Sequence, residues 1–181
     1  MLVDESQADV SARLSRGTLT LTGGSLGDFV DITGVRSGTT VPNLIRLSVN
    51  EGPYVDYAGV TNLRIDMRAG ADEVKVGFID VSGDLDVSMG GDLGDRCLVG
   101  LCGIGGDFTS EGSSEAAALL MTVGGDLTMK AGLAFDVDAD GYSMFVVTVG
   151  VGGRARIDGG RSSDDDIIIG ECEFDGDLSV S

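Results

Sequence analysis

One short phrase recurs along this 181-residue chain: an apolar residue, a spacer residue, a glycine, an aspartate and a second apolar residue. The copies are Val81-Ser-Gly-Asp-Leu85, Ile104-Gly-Gly-Asp-Phe108, Val123-Gly-Gly-Asp-Leu127 and Phe174-Asp-Gly-Asp-Leu178, with a degenerate copy at Val151-Gly-Gly-Arg-Ala155. Recurrence at a period of about 20–50 residues is typical of solenoids, in which each unit buries its apolar face against its neighbours only.

The apolar residue that follows Gly-Asp measures the period. The positions equivalent to it are spaced by 22, 23, 19, 28 and 23 residues, at Leu63, Leu85, Phe108, Leu127, Ala155 and Leu178. Three spacings agree within one residue, and the other two sum to 47, about two ordinary periods. We therefore predict an all-β fold, a β-solenoid of the right-handed parallel β-helix type with rungs of about 22–23 residues, over residues 17–181.

Within each unit, apolar and polar residues alternate, which is the pattern of a strand with one buried face. Glycine is expected at the corners because it reaches positive φ without a Cβ clash, and aspartate because it forms Asx-turns. The predicted inward residues are Leu85 and Val87, Leu127 and Met129, Ala155 and Ile157, and Leu178 and Val180.

Three segments depart from the repeat. Residues 1–16 form an N-terminal cap or tail, either an amphipathic helix over the solenoid end or irregular chain. Residues 36–57 contain both prolines, Pro42 and Pro53, and are predicted to be an irregular rung or an inserted hairpin. Residues 113–121 have the composition of a short helix, but alternation into the next phrase favours a strand.

The composition argues against several classes of function. Thirty acidic residues against 12 basic residues give a net charge of −18, which disfavours nucleic-acid binding and attraction to anionic membranes. The absence of histidine removes the commonest general base and the usual catalytic triads. No apolar stretch reaches the roughly 18 residues of a membrane span, so no membrane insertion is expected. No signal peptide is recognisable at the N-terminus.

The three cysteines, Cys97, Cys102 and Cys172, lack the spacing of a zinc site. Buried free thiols are the favoured interpretation, because free cysteine behaves as a small apolar residue. A Cys97–Cys102 disulfide is the alternative.

One local motif carries possible metal chemistry: Asp136-Val-Asp138-Ala-Asp140-Gly-Tyr142. Carboxylates at alternate positions, a glycine turn and the Tyr142 carbonyl are typical of the first part of an EF-hand-type Ca²⁺ loop. The twelfth position is Val147 instead of the usual glutamate, so further ligands would come from a neighbouring rung, such as Asp158 or residues 164–166. An ordinary acidic strand and turn is the competing interpretation.

The Gly/Asp corners, such as Gly90-Gly-Asp-Leu-Gly-Asp95, resemble the Gly/Asp-rich repeat segments of large bacterial secreted and surface proteins. In the members that bind Ca²⁺, the repeat is nine residues long, whereas the corners here recur once in 22 or 23 residues. The resemblance implies a β-solenoid and a location outside the cell or on its surface, as part of a longer chain.

These features predict a non-catalytic structural or surface repeat segment, such as a stalk, an adhesin shaft or an assembly unit, with Ca²⁺ as a possible stabilising ion. Its expected contacts are neighbouring solenoid rungs, end-to-end self-association, or a cell-surface polymer. The alternative is a calcium-dependent module that binds carbohydrate or a protein partner. A polysaccharide-active β-helix enzyme is the third hypothesis, because clustered carboxylates can serve glycoside hydrolysis.

The Ca²⁺ hypothesis makes a direct prediction. A bound ion stabilises the folded state by RT ln(1 + [L]/Kd), so millimolar Ca²⁺ should raise the melting temperature by about 4–8 °C relative to excess EDTA. Asp138→Ala should remove that increase. The measurement is far-UV circular dichroism during heating, and identical melts in every condition would assign the aspartates to turns and solvated faces.

Overall fold

The computed structural model describes residues 10–35, 44–132, 143–159 and 166–181. The predicted all-β class is confirmed: the described residues form 19 strands and no helix, and so contain no helix that could cross a membrane. The strands are β1 (Ser11–Ser15), β2 (Thr18–Thr22), β3 (Phe29–Gly34), β4 (Ile45–Val49), β5 (Val55–Tyr57), β6 (Asn62–Asp66), β7 (Glu73–Gly77), β8 (Asp80–Val81), β9 (Leu85–Ser88), β10 (Arg96–Gly100), β11 (Gly103–Ile104), β12 (Phe108–Ser113), β13 (Glu115–Val123), β14 (Leu127–Ala131), β15 (Ser143–Val151), β16 (Ala155–Asp158), β17 (Asp166–Gly170), β18 (Glu173–Phe174) and β19 (Leu178–Val180).

The first sheet has eight strands in the order β1-β2-β6-β9-β12-β14-β16-β19. All its neighbours are parallel except β1 and β2. The residues that measured the period in the sequence are register partners in this sheet: each of the pairs Leu63–Leu85, Leu85–Phe108, Phe108–Leu127, Leu127–Ala155 and Ala155–Leu178 lies side by side on adjacent strands.

The second sheet follows the order β17-β15-β13-β10-β7-β3-β4-β5, with the short strands β8, β11 and β18 paired alongside this path. Pairing from β3 to β17 is parallel. In each repeat the chain passes from the first sheet to the second and back again, as it does from β6 to β7 and from β8 to β9. This alternation places the apolar faces of both sheets towards a common interior.

That interior is one continuous apolar cluster. Six of the eight predicted inward residues are buried, from Leu85 and Val87 to Ile157. The prediction was wrong for the other two, because Leu178 and Val180 are 44% and 47% exposed. They lie on β19, which is an edge strand of the first sheet among the residues that the structure describes.

The segments outside the repeat are also strands where the structure describes them. Residues 45–57 form β4 and β5, which extend the second sheet by antiparallel pairing beyond β3. Residues 11–15 form β1, an antiparallel edge strand, in place of the helix considered for this region. The strand favoured for residues 113–121 is confirmed by β13.

One bend departs from the expected use of glycine. At equivalent positions of the second sheet, directly after β7, β10 and β17 and within β13 and β15, five residues other than glycine have φ between 51° and 58°: Phe78, Leu101, Leu120, Thr148 and Glu171. Such residues are rare in this left-handed region, and a β-branched residue there is an outlier. The backbone geometry of the stacked strands therefore requires a positive φ at this bend, against the conformational preference of the residues that occupy it.

Two substitutions at equivalent register positions test the buried core. Leu127→Ala should lower the free energy of unfolding by about 2–5 kcal/mol, because the side chain is fully buried and leaves a cavity. Leu178→Ala should cost less than about 1 kcal/mol, because this leucine is already half exposed. Urea unfolding followed by circular dichroism measures both, and equal costs would contradict the assigned interior.

Candidate functional site

The aspartates of the recurring phrase form a ladder along one corner of the fold. The backbone N–H of Asp84 donates to Asn62 Oδ1 at 3.0 Å, and that of Asp107 donates to Asp84 Oδ1 at 3.0 Å. The ladder continues from Asp126 N–H to Asp107 Oδ1 and from Arg154 N–H to Asp126 Oδ1, both at 2.8 Å. Each side chain thus satisfies a backbone donor of the next repeat. Asn62 was not singled out in the sequence, because its repeat lacks the Gly-Asp phrase.

The glycine before each aspartate has a spatial function. The phrase glycines are not among the residues with positive φ, so the conformational reason expected for them is wrong here. A Cβ built on Gly106 would overlap Asp84 Oδ1, and one on Gly125 would overlap Asp107 Oδ1. The glycine of one repeat therefore makes room for the carboxylate of the repeat before it, which explains why the two residues recur together.

A second aspartate ladder lies at another corner and is buried. The backbone N–H of Asp28 donates to Asp72 Oδ1 at 2.7 Å, and that of Asp72 donates to Asp95 Oδ1 at 2.9 Å. All three residues are less than 4% exposed. Here each carboxylate accepts a backbone N–H from the preceding repeat, whereas in the first ladder the N–H comes from the following repeat.

Asp95 ends this buried ladder and holds its own loop. Its Oδ2 accepts backbone N–H groups from Gly91 at 3.2 Å and Asp92 at 2.8 Å. Burial raises the pKa of the Asp95 carboxyl, while the backbone donors of Asp72, Asp92 and Gly91 act in the opposite direction and the Asp92 carboxylate adds to the increase. The turn-capping interpretation of the corner aspartates fits this geometry.

The outer face of the first sheet carries a polar groove of about 360 Å³. Asp86 lies in it, and burial raises its pKa; the Asp84 carboxylate adds to the increase, the Arg64 guanidinium opposes it, and the Asp107 carboxylate adds a smaller part. Carboxylates and hydroxyls in such a groove can accept and donate hydrogen bonds to a hydroxyl-rich ligand. The polar residues along the groove are Arg64, Asp66, Asp86, Ser88, Thr109 and Glu111.

The cysteines are structural in this geometry. All three are free, so the favoured interpretation is confirmed for the buried Cys97 and Cys102, whereas Cys172 is only partly buried. Burial raises the pKa of the Cys97 thiol to about 11, and the neighbouring Ser110 hydroxyl offsets part of this increase. The Cys97 thiol is therefore protonated, and weakly nucleophilic, at neutral pH.

The predicted metal ligands Asp136, Asp138, Asp140 and Tyr142 lie outside the described residues, so the Ca²⁺ site stays a prediction. Of the additional ligands considered, Asp158 lies on β16, where its carboxylate is 3.7 Å from the Arg156 guanidinium. Among the residues that the structure describes, no three metal-ligating side chains converge.

Comparison with known proteins gives no relative from which a function could be taken. No family model matches the chain, and no curated protein or solved structure is similar to it.

The glycine–aspartate contact predicts a coupling between repeats. Gly106→Ala should lower the free energy of unfolding by about 1–3 kcal/mol, because the new methyl group overlaps the Asp84 carboxylate. Asp84→Ala alone should cost about 1 kcal/mol by removing the acceptor of the Asp107 N–H. Together they should cost less than the sum, since the second change removes part of the overlap.

The matched control for this cycle is Gly170→Ala, because a Cβ at Gly170 meets nothing within 4 Å. It should leave the melting temperature nearly unchanged. If Gly106→Ala were tolerated as well as Gly170→Ala, the close approach between the two corners would be wrong.

The groove predicts a pH-dependent stability difference. The pKa of the Asp86 carboxyl is raised in the folded protein, so the folded state binds this proton more tightly than the unfolded chain does. The free energy of unfolding therefore falls as the pH rises from below the ordinary carboxyl pKa through the raised pKa of the folded protein. Asp86→Thr, which matches its register partner Thr109, should therefore raise the melting temperature at pH 7 by about 1–3 °C and much less at pH 3.

Thermal melts at pH 3, 5 and 7 measure this difference. Ser88→Thr is the control on the same strand, because it adds a β-branched residue without removing a charge. An Asp86→Thr effect of equal size at every pH would show that β-propensity, and not the carboxylate, is its cause.

Proposed function

We propose that the chain is a β-solenoid, a right-handed parallel β-helix, that serves as a non-catalytic structural segment such as a stalk, shaft or assembly unit at a cell surface. The observation that carries the proposal is the register of the first sheet, in which residues one sequence period apart are side-by-side partners from Leu63 to Leu178. Right-handedness follows from the strong preference of parallel crossover connections for that hand.

The second sheet supports the same arrangement. Its strands pair in parallel at the same step, with Glu73, Arg96 and Glu115 as successive partners. A third row of short pairings follows it, in which Val81 lies beside Ile104 and Ile104 lies beside Val123. Three rows that recur in the same order in each period are what successive turns of a parallel β-helix would produce.

The use of the aspartates supports a structural role. The carboxylates of Asp84, Asp107 and Asp126 each accept a backbone N–H from the next repeat, and those of Asp72 and Asp95 accept one from the preceding repeat at the other corner. These five carboxylates therefore support the proposal by linking neighbouring repeats through backbone hydrogen bonds.

Deletion of one period tests the proposal. Removal of residues 86–108 brings β7 next to β13. It also joins Leu85 to residues 109–113, and this single strand lies between β6 and β14 without a change of register. The shortened protein should keep a cooperative melt and its far-UV spectrum. Small-angle X-ray scattering should show a particle shorter by about 4.8 Å, one strand spacing.

The matched control removes half of this length, residues 86–97, and shifts every later strand out of register. It should abolish the cooperative melt, because the apolar faces no longer align. If both deletions unfold the protein to the same extent, the solenoid proposal and the structural role that follows from it are wrong.

The polar groove favours one second candidate, a module that binds a surface polysaccharide. Isothermal titration with neutral and acidic polysaccharides, with and without Ca²⁺, would detect it. Binding that is lost in an Arg64→Ala/Glu111→Gln variant of unchanged melting temperature would place the ligand in the groove and favour the binding-module interpretation over a purely structural one.

A further inference from the structure

Parallel pairing stops at β2 and β3, because each of these strands has an antiparallel partner on its other side. In the second sheet, β3 pairs parallel with β7 and antiparallel with β4. In the first sheet, β2 pairs parallel with β6 and antiparallel with β1. A strand has only two sides for main-chain pairing, so no further parallel strand can join β2 or β3.

The antiparallel strand β4 also completes the core beside β3. Its inward side chains Ile45 and Leu47 are 2% and 4% exposed, and Leu47 is the register partner of the fully buried Ile32 on β3. One strand further out, Val55 of β5 is the register partner of Leu47 and is 50% exposed. Burial therefore ends at β4, and β5 is the outer edge of this sheet among the described residues.

A side chain in the turn after β4 ends the buried aspartate ladder. Within that ladder, the carboxylates of Asp72 and Asp95 each accept a backbone N–H from the preceding repeat. At Asp28, the first aspartate of the ladder, the donor is instead the Asn50 side chain, whose Nδ2 lies 2.9 Å from Asp28 Oδ1. Asn50 Oδ1 in turn accepts the backbone N–H of Phe29 at 2.7 Å. Asn50 therefore takes the position that a preceding repeat has at the later aspartates.

The hairpin formed by β4 and β5 is also fixed by its turn and by a contact to β3. Asn50 and Glu51 have φ of 49° and 58°, as the two central residues of a type I′ hairpin turn do. Beyond the turn, the Tyr54 hydroxyl donates to Asp31 Oδ2 on β3 at 2.5 Å. These bonds hold the hairpin against the edge of β3.

The outer strand β5 is poorly suited to the addition of another strand. It has only three residues and begins two residues after Pro53. Asp56 at its centre pairs with the Arg46 guanidinium at 3.1 Å, and both side chains are about half exposed. Short length, a proline and charged side chains are the features by which natural sheets hinder pairing between edges. In contrast, β3 is a strand of six residues, and its edge would form a longer template.

We propose that residues 44–57, which we call the cap hairpin, prevent the edge of β3 from pairing with a second copy of this chain. The inference goes beyond the structural role proposed above, because it concerns how stacking is stopped. It depends on the strand order and not on the closure of the solenoid. Without the cap hairpin, two β3 edges are free to pair antiparallel about a two-fold axis, which gives a closed dimer.

The first variant that opens the β3 edge lacks residues 44–57. Residues 36–43 then link β3 to the segment before β6. Gly34 and Tyr57 are both register partners of Ile45, so this link has to span about 10 Å, two strand spacings. Eight residues cover that distance without strain, because an extended chain spans about 3.3 Å per residue.

The second variant, Leu47→Asp, keeps the full chain. It places a carboxylate in the core beside Ile32, and the cost of burying this charge detaches β4 from β3. Val55→Asp is the matched control, because it makes an equivalent change at the register partner of Leu47, on a strand where the side chain is already half exposed.

Sedimentation velocity over a hundredfold range of protein concentration, together with thermal melts followed by circular dichroism, measures the effect. Both opened variants should melt cooperatively and should dimerise about tenfold more tightly than the wild type, or tighter. Their melting temperatures should rise with protein concentration, because pairing stabilises the folded state by mass action. Val55→Asp should match the wild type in both measurements.

Three results would overturn the proposal. One is an opened variant that melts cooperatively but associates no more strongly than the wild type. Another is loss of the cooperative melt in both opened variants, which would make the hairpin an integral part of the folding core. The third is a Val55→Asp variant that dimerises as Leu47→Asp does, which would assign the effect to the added charge.

Failure of the cap hairpin proposal is distinguishable from failure of the proposed function. A protein that passes the one-period deletion test, and whose opened variants fold and stay monomeric, would refute the cap hairpin while the solenoid stands. A protein that fails that deletion test, and still dimerises when residues 44–57 are removed, would refute the solenoid while the cap hairpin stands.

Discussion

The hydrogen bond from the backbone of one Gly-Asp corner to the carboxylate of the corner before it fixes how the repeats stack. Asp84, Asp107 and Asp126 each supply the acceptor, and the following repeat supplies the donor. This bond sets which residues become neighbours in the adjacent strand, because the strand begins directly after the corner. Once Leu85 is beside Phe108, the alternation of the strand places every later apolar residue on the buried face.

The interior can therefore be built from modest side chains. It consists largely of valine, leucine, isoleucine, methionine and alanine, and the buried Phe108 is its largest member. In the proposed solenoid, each rung buries its apolar face against the rungs on either side, so the stability of the whole depends on contacts between neighbours. The buried ladder of Asp28, Asp72 and Asp95 adds polar bonds inside this stack, at a corner where backbone donors need an acceptor.

The sequence predicted the parts of the fold that depend on periodicity. The spacing of Leu63, Leu85 and Phe108 identified register partners, because parallel stacking converts a sequence period into a lateral neighbour. The prediction from periodicity failed at positions whose burial or conformation depends on something other than the repeat. Leu178 follows the pattern but is exposed on an edge strand of the described first sheet. The left-handed Leu120 and Thr148 follow the geometry of the bend against their own preference.

The candidate site was less accessible from the sequence, for a related reason. The glycine of the phrase was assigned to turn conformation, whereas its partner is a carboxylate about one period away in the chain, as for Gly106 and Asp84. A contact of this kind is visible only after the register is known. The acidic motif around Asp138 shows the same limit for a metal site. The sequence identifies three carboxylates at a spacing typical of a Ca²⁺ loop, but not the residues from neighbouring strands that would complete a coordination shell.

The first ladder stops at Arg154, whose side chain has no carboxylate to offer the next corner. Asp177, which directly precedes the three-residue strand β19, therefore lacks the side-chain oxygen acceptor that the ladder provides at the four preceding corners. In a stack in which each unit is held by its neighbours, the least-anchored terminal unit opens first. Amide hydrogen exchange should accordingly be faster in β19 than in β9, β12 and β14, whose preceding corners are anchored by a carboxylate or amide oxygen.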